Sequence, residues 1–150
     1  MTKIQGPDKI ILANNKKRTS LFLGGTCNES TWRKRLIEKL DVDKVDYFDP
    51  VVDDWTPDDM DEEIKQRKIC DYVLYVITPK MTGVYSIAEV VDDSNKRPEK
   101  TIFAFLKKDD GEEFSKAQNK SLGQVKKMVE ENGGQVFDSL EKIAEFLNKK

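Results

Sequence analysis

Glu89 is the side chain on which chemistry can best be built in this chain. It stands early in a helical pattern that follows an apolar run, Tyr72–Ile77, and a turn containing Pro79 and Gly83. Strand, loop and helix start in that order describe one unit of an α/β protein. In that architecture ligands settle beyond the carboxyl ends of the strands. A carboxylate carried there can serve as nucleophile or general base, and carboxylates can form covalent glycosyl intermediates. Spacing alone also allows a plainer role, a solvated side chain on the polar face opposite Ile87 and Val91.

Other candidates surround it. Gly24, Gly25 and Thr26 follow a compact strand, so a ligand can approach the backbone closely there. Free N–H groups and a following helix start favour an anion, whereas a tight strand-to-helix turn explains the same residues without a ligand. Asp71 opens the strand before Glu89 and reads either as a strand-start residue or as part of the site. Asp49 ends another short strand. Trp55 is either core or an aromatic wall for a flat ring, and Tyr85 either hydrogen-bonds a ligand or packs. Ser86 shares the polar side of its helix with Glu89 and Asp93, while Ile87, Ala88, Val90 and Val91 form the expected packing side. Cys27 reads as a packed thiol.

Composition removes whole classes of chemistry. The 150 residues contain no histidine, which excludes Ser-His-Asp triads, Cys-His pairs and histidine-ligated metals. Two cysteines, far apart, have no metal-like spacing and fit a reduced cytoplasmic chain. Net charge is −2, which argues against general nucleic-acid binding. No apolar run reaches membrane-spanning length, and the first residues lack a signal-peptide core. No metal and no cofactor are expected.

The elements that must position these residues alternate regularly. Strands are expected at Thr19–Leu23, Val45–Phe48, Asp71–Ile77, Thr101–Leu106 and Gln135–Phe137. Helices are expected at Thr31–Leu40 after Ser30, from Thr56-Pro57 to about Ile69, over 84–93, over 115–132 and after Ser139. Residues 1–18 read as an arm or an edge strand around Ile10–Leu12, and 19–150 as one domain. Five strand–helix units imply a parallel sheet with helices on both faces, in the flavodoxin-like order 2-1-3-4-5. That order sets the Gly24-Gly25-Thr26 loop against the loop from Thr78 to Gly83.

On these residues the chain resembles the nucleoside 2-deoxyribosyltransferase superfamily, and most closely its small type 2 branch. The matching stretches are LFLGGTCNESTWR (Leu21–Arg33), YFDPVVDDW (Tyr47–Trp55) and CDYVLYVITPKMTGVYSIAEV (Cys70–Val90). The resemblance implies a flavodoxin-like fold and cleavage of an N-glycosidic bond in a nucleoside or its 5′-monophosphate. Glu89 in GVYSIAE takes the place of the glutamate that attacks the anomeric carbon. Asp71 takes the place of an aspartate that orients sugar or nucleophile. Gly24 and Gly25 would border the sugar or a 5′-phosphate, for which Arg33 and Lys80 are candidate cations. Asp49 and Trp55 lie in the segment that lines the base side. Better-known members carry a further acidic residue about six positions before the nucleophile, where it manages protonation of the base. Here that position is Gly83, and Lys80, Met81 and Thr82 beside it are not acidic. The implied partners are a nucleoside or nucleotide, a free base, and a second copy of the chain in a dimer or higher oligomer. Two further readings use the same crevice: a nucleotide-binding module without turnover, and a flavin carrier. The first loop lacks the Ser/Thr-rich phosphate cradle that a flavin carrier would need.

Overall fold

A computed structural model describes residues 4–5, 17–27 and 29–150. In chain order the strands are β1 (Ile4–Gln5), β2 (Thr19–Gly25), β3 (Val45–Phe48), β4 (Tyr72–Ile77), β5 (Thr101–Phe105), β6 (Lys108–Asp109), β7 (Glu112–Glu113) and β8 (Gln135–Phe137). The helices are α1 (Trp32–Ile37), α2 (Pro57–Ile69), α3 (Tyr85–Lys96), α4 (Lys116–Glu131) and α5 (Leu140–Asn148). One sheet runs β1-β3-β2-β4-β5-β8, and β6 pairs with β7 in a separate hairpin. All pairings from β3 to β8 are parallel, and β1 adds antiparallel to the β3 edge. The five parallel strands therefore follow the flavodoxin-like order read from the sequence. The edge strand lies at Ile4–Gln5, and Ile10–Leu12 falls outside the described residues. The hairpin β6–β7 lies within the charged stretch Lys107–Glu113.

Two-residue alternation along the central strands explains the three layers. Leu21, Leu23, Leu74, Val76, Ile102 and Ala104 face one way and pack with Trp32, Leu36, Ile143 and Leu147. Phe22, Val73, Tyr75, Ile77 and Phe103 face the other way and pack with Val90, Leu122 and Val129. Both faces of β4 are thus covered, which is why its sequence is an unbroken apolar run.

Helix starts follow their caps. Thr56 and Asp59 form a reciprocal capping box with Pro57 at the first position of α2, and Ser115 with Gln118 does the same for α4. Ser139 caps α5. The helix expected after Ser30 starts at Trp32 instead. Its Thr31 cap makes no side-chain capping bond, and Ser30 Oγ donates to the buried Asp109 carboxylate at 2.5 Å. Ser30 Oγ also accepts from Trp32 N–H at 3.4 Å, so one hydroxyl serves the helix start and the hairpin together.

The β2–β4 contact fixes the glycine pair. Gly25 has φ +117°, and a Cβ there would stand 2.1 Å from the Val76 carbonyl oxygen. A Cβ on Gly24 would stand 2.6 Å from the Tyr75 ring. Gly25→Ala is therefore expected to destabilise by more than about 2 kcal/mol. Thermal unfolding should show Tm falling by roughly 5–10 °C for a chain of this size.

Candidate active site

The carboxyl ends of β2 and β4 open into a cleft of about 400 Å³. Gly25, Thr26 and Cys27 line it from the β2 side, and Met81, Thr82, Gly83, Tyr85, Ser86 and Glu89 from the β4 side. Pro50, Val51, Val52, Trp55 and Glu63 complete the wall. The two turn-rich loops meet at the switch point because neighbouring helices leave β2 and β4 on opposite faces of the sheet.

Glu89 lies in this cleft and is 8% exposed. The expectation of a solvated polar face on α3 does not hold. The buried side of α3 carries Glu89, Val90, Asp93 and Ser94, while Ala88 is exposed. Two carboxylates can face inward because a cation meets them. Arg67 of α2 places Nη1 3.6 Å from Glu89 Oε2. Its Nε donates to Asp93 Oδ2 at 3.1 Å, and its Nη2 to Asp93 Oδ1 at 3.0 Å. Asp93, fully buried, also accepts from the Tyr75 hydroxyl and from Arg97. Burial pushes the Glu89 carboxyl up to about 7; Arg67 opposes the rise, while Glu63 and Asp93 add to it.

Glu63 is the acidic group that motif reading missed. It sits on α2, lines the same cleft, and accepts a 2.6 Å hydrogen bond from Trp55 Nε1. Burial raises its pKa, the Trp55 bond opposes this, and Asp59 adds to it. The signal was present as spacing. Asp59, Glu63, Gln66 and Arg67 fall on one helical face, and that polar face is the one turned inward. Isoleucines at 64 and 69 are left exposed. A rule that buries apolar residues points α2 the wrong way.

The expected residues distribute unevenly. Gly25, Thr26, Trp55, Gly83, Tyr85 and Ser86 line the cleft with Glu89, and Trp55 and Tyr85 are largely exposed at it. Gly24 lies inside β2 against Tyr75 and does not line the cleft. One N–H in each of the two facing loops is already committed, which leaves less for an anion. Thr26 N–H donates to Val76 O, and Thr78 N–H donates to Thr26 Oγ1, each at 2.9 Å. Asp49 stands outside the cleft, with Oδ1 3.5 Å from Arg33 Nε and accepting from Val51 N–H. Arg33 is buried beneath the loop, donating to the carbonyls of Leu23, Gly25 and Thr26. Burial lowers its pKa, yet the guanidinium is already committed to holding the turn. Lys80 points to Asp110 and Glu112 of the hairpin. Cys27 is exposed in the cleft rather than packed.

Asp71 is not brought to the cleft. The register pairs Tyr72 with Leu21 near the amino ends of the strands, so Asp71 stands roughly 20 Å from the carboxyl end of the six-residue β4. There it accepts from Ser20 N–H at 2.8 Å and pairs with Lys17 at 3.0 Å. Partial burial opposes its ionisation, but these contacts outweigh burial and its pKa is lowered.

Among the described residues no group of three or more potential ligands could hold a metal ion. None of their helices is long and apolar enough to cross a membrane. The cleft instead offers two carboxylates of raised pKa, an aromatic ring at each of two walls, and a mixed apolar lining. Such a pair suits nucleophilic and acid/base work on a small, flat, polar molecule.

A comparison with curated proteins finds no match. Family models give one match, described as nucleoside 2-deoxyribosyltransferase-like, over residues 18–104. That span is more than half of the chain and contains Glu63, Arg67, Glu89 and Asp93, together with β2 to β4 and nearly all of β5. The chain belongs to the nucleoside 2-deoxyribosyltransferase-like family.

Proposed function

We propose that the protein cleaves the N-glycosidic bond of a deoxynucleoside, with Glu89 as nucleophile. The observation that carries this reading is a buried glutamate held beside a cation at the head of a cleft, in a family named for that reaction. A Glu89 oxygen bonds to the anomeric carbon as the bond to the base nitrogen breaks, and the electron pair leaves with the base. Glu63 gives the departing nitrogen its proton. Another base, or water deprotonated by Glu63, then attacks the anomeric carbon and releases Glu89. A base as acceptor makes the protein a transferase, and water makes it a hydrolase.

Two features support this division of roles. Burial raises both carboxyls, and Glu63 raises Glu89 further, so the pair can hold one proton between them. Trp55 and Tyr85 supply aromatic faces for the base. The free nucleoside suits the cleft better than its 5′-monophosphate. Its described lining includes Glu63 and Glu89 but no Lys or Arg, and a phosphate dianion would face both carboxylates. Asp71, at the amino end of β4, takes no part.

The test is chromatography of deoxynucleosides incubated with and without a free acceptor base. Glu89→Gln should reduce both base release and exchange by at least about a thousandfold; full activity in that variant would overturn the assignment. Glu63→Gln should lower kcat roughly 10²–10⁴-fold on ordinary deoxynucleosides. It should cost little on 7-methyl-2′-deoxyguanosine, whose base leaves without needing a proton. An equal loss on both substrates would remove Glu63 as the proton donor.

The pH dependence has a definite sign. Attack needs ionised Glu89, so kcat/KM on 7-methyl-2′-deoxyguanosine, whose base leaves without needing a proton, should rise with pH through about 7. For stability, the folded pKa of Glu89 lies above its ordinary value. The stability contributed by the protonated form is full below the ordinary carboxylate pKa and is lost as pH rises through about 7. Glu89→Gln should therefore raise Tm at pH 8, by an amount equivalent to about 1–3 kcal/mol, and change it little at pH 4.5. Thermal melts at the two pH values read this directly.

A further inference from the structure

The reading above uses Glu89 and Glu63 and leaves unexplained why a buried arginine, Arg67, pairs with Glu89 and with a fully buried aspartate, Asp93. A guanidinium free to turn would lie flat against Glu89 in a bidentate pair and hold both oxygens. That geometry would spread the charge needed for attack. Arg67 does not adopt it. Its Nε and Nη2 donate to the two oxygens of Asp93, and Nη2 also reaches Asp92 Oδ2 at 3.2 Å. Only Nη1 is directed to Glu89, at 3.6 Å, an ion-pair distance beyond an ordinary hydrogen bond. Asp93 is itself pinned by Tyr75 from β4 and Arg97 from its own helix. Asp93 follows Glu89 by one helical turn, so both carboxylates meet the same guanidinium.

We propose that Arg67 is a positioning residue: clamped by Asp93, it fixes the Glu89 carboxylate at the cleft while withholding a full ion pair from it. Arg67 and Asp93 then act as opposed controls on the charge of the nucleophile. This inference rests on the reading of Glu89 as nucleophile. It goes beyond that reading in assigning a role to a pair that lines no part of the cleft. The groups bearing on Glu89 are Arg67 and Glu63 from α2, Asp93 from α3 and the Tyr75 hydroxyl from β4, with Cys27 and Tyr85 also lining the cleft. Of these, Arg67 alone is a cation, so its removal and the removal of Asp93 should drive Glu89 in opposite directions. A merely structural pair would not produce opposite signs.

The experiment is a carbon-13 titration of glutamate side-chain carboxyls in the full-length protein, with the Glu89 resonance assigned from Glu89→Gln. Arg67→Gln should move the Glu89 midpoint upward by about one unit, so that about tenfold less Glu89 is ionised at pH 6. Asp93→Asn should move it downward, since it removes a negative neighbour and frees Arg67. The acid limb of the kcat/KM profile should shift with the midpoint in each case. A midpoint that stays put, or that moves the same way in both variants, overturns the proposal. If either variant fails to fold, Asp92→Asn decides: it relieves Arg67 of one exposed partner, and a downward shift supports the proposal while no shift overturns it. Opposed shifts in a protein that releases no base would support the electrostatic assignment and reject the proposed reaction, so the two failures are separable.

Discussion

The Arg67–Asp93 pair is the interaction on which the cleft side of this molecule depends. It joins α2 to α3 through buried charged groups, where an ordinary α/β protein would place leucines. Asp93 is completely buried and is satisfied by two arginines and a tyrosine hydroxyl. The hydrogen bond to Asp93 and the nearby negative charges raise the Arg67 pKa despite burial, so the guanidinium is always charged. Breaking one partner of such a pair leaves a buried charge and typically costs about 3–5 kcal/mol, although the intact pair adds little over an apolar one. Its value lies in direction. Fixed hydrogen-bond vectors orient two helices as apolar contact cannot.

That orientation has consequences for α2. Its inward face is polar and two of its isoleucines are exposed, so apolar burial does not hold it in place. The capping box at Thr56, the ion pairs of Arg67 and the Trp55–Glu63 bond do so instead. The same arrangement carries Glu63 to the cleft wall opposite the strands. A helix held by charged and polar contacts thereby brings a carboxylate toward Glu89.

On the sheet side the demand is steric. β2 and β4 approach so closely at their carboxyl ends that only glycine fits at position 25, and only glycine clears the Tyr75 ring at 24. Arg33 then ties three carbonyls of the turn from below, with its guanidinium over the Trp32 ring at 4.5 Å. The carbonyls of the turn and the Thr26 N–H are thus satisfied internally. On the facing wall of the cleft the demand is absent, and a Cβ at Gly83 would meet open space.

How much of this was legible in the chain divides along a physical line. Alternation, caps and turn residues are local signals, and they placed the five parallel strands, most helices and the strand order correctly. The apolar run 72–77 announced a strand covered on both faces, and the loop pairing at the switch point brought Gly25, Thr26, Tyr85, Ser86 and Glu89 to one cleft. What the chain could not disclose was which polar groups would find partners across space. Helical spacing put Glu89 and Asp93 together but could not turn them inward, since that depends on Arg67, which lies more than twenty positions away. Nor could it move Asp71 out of the site, because its place follows from strand register rather than from its neighbours in sequence. Covalent order sets periodicity, which is short-ranged; pairing of buried charges is decided only when distant segments exclude water together.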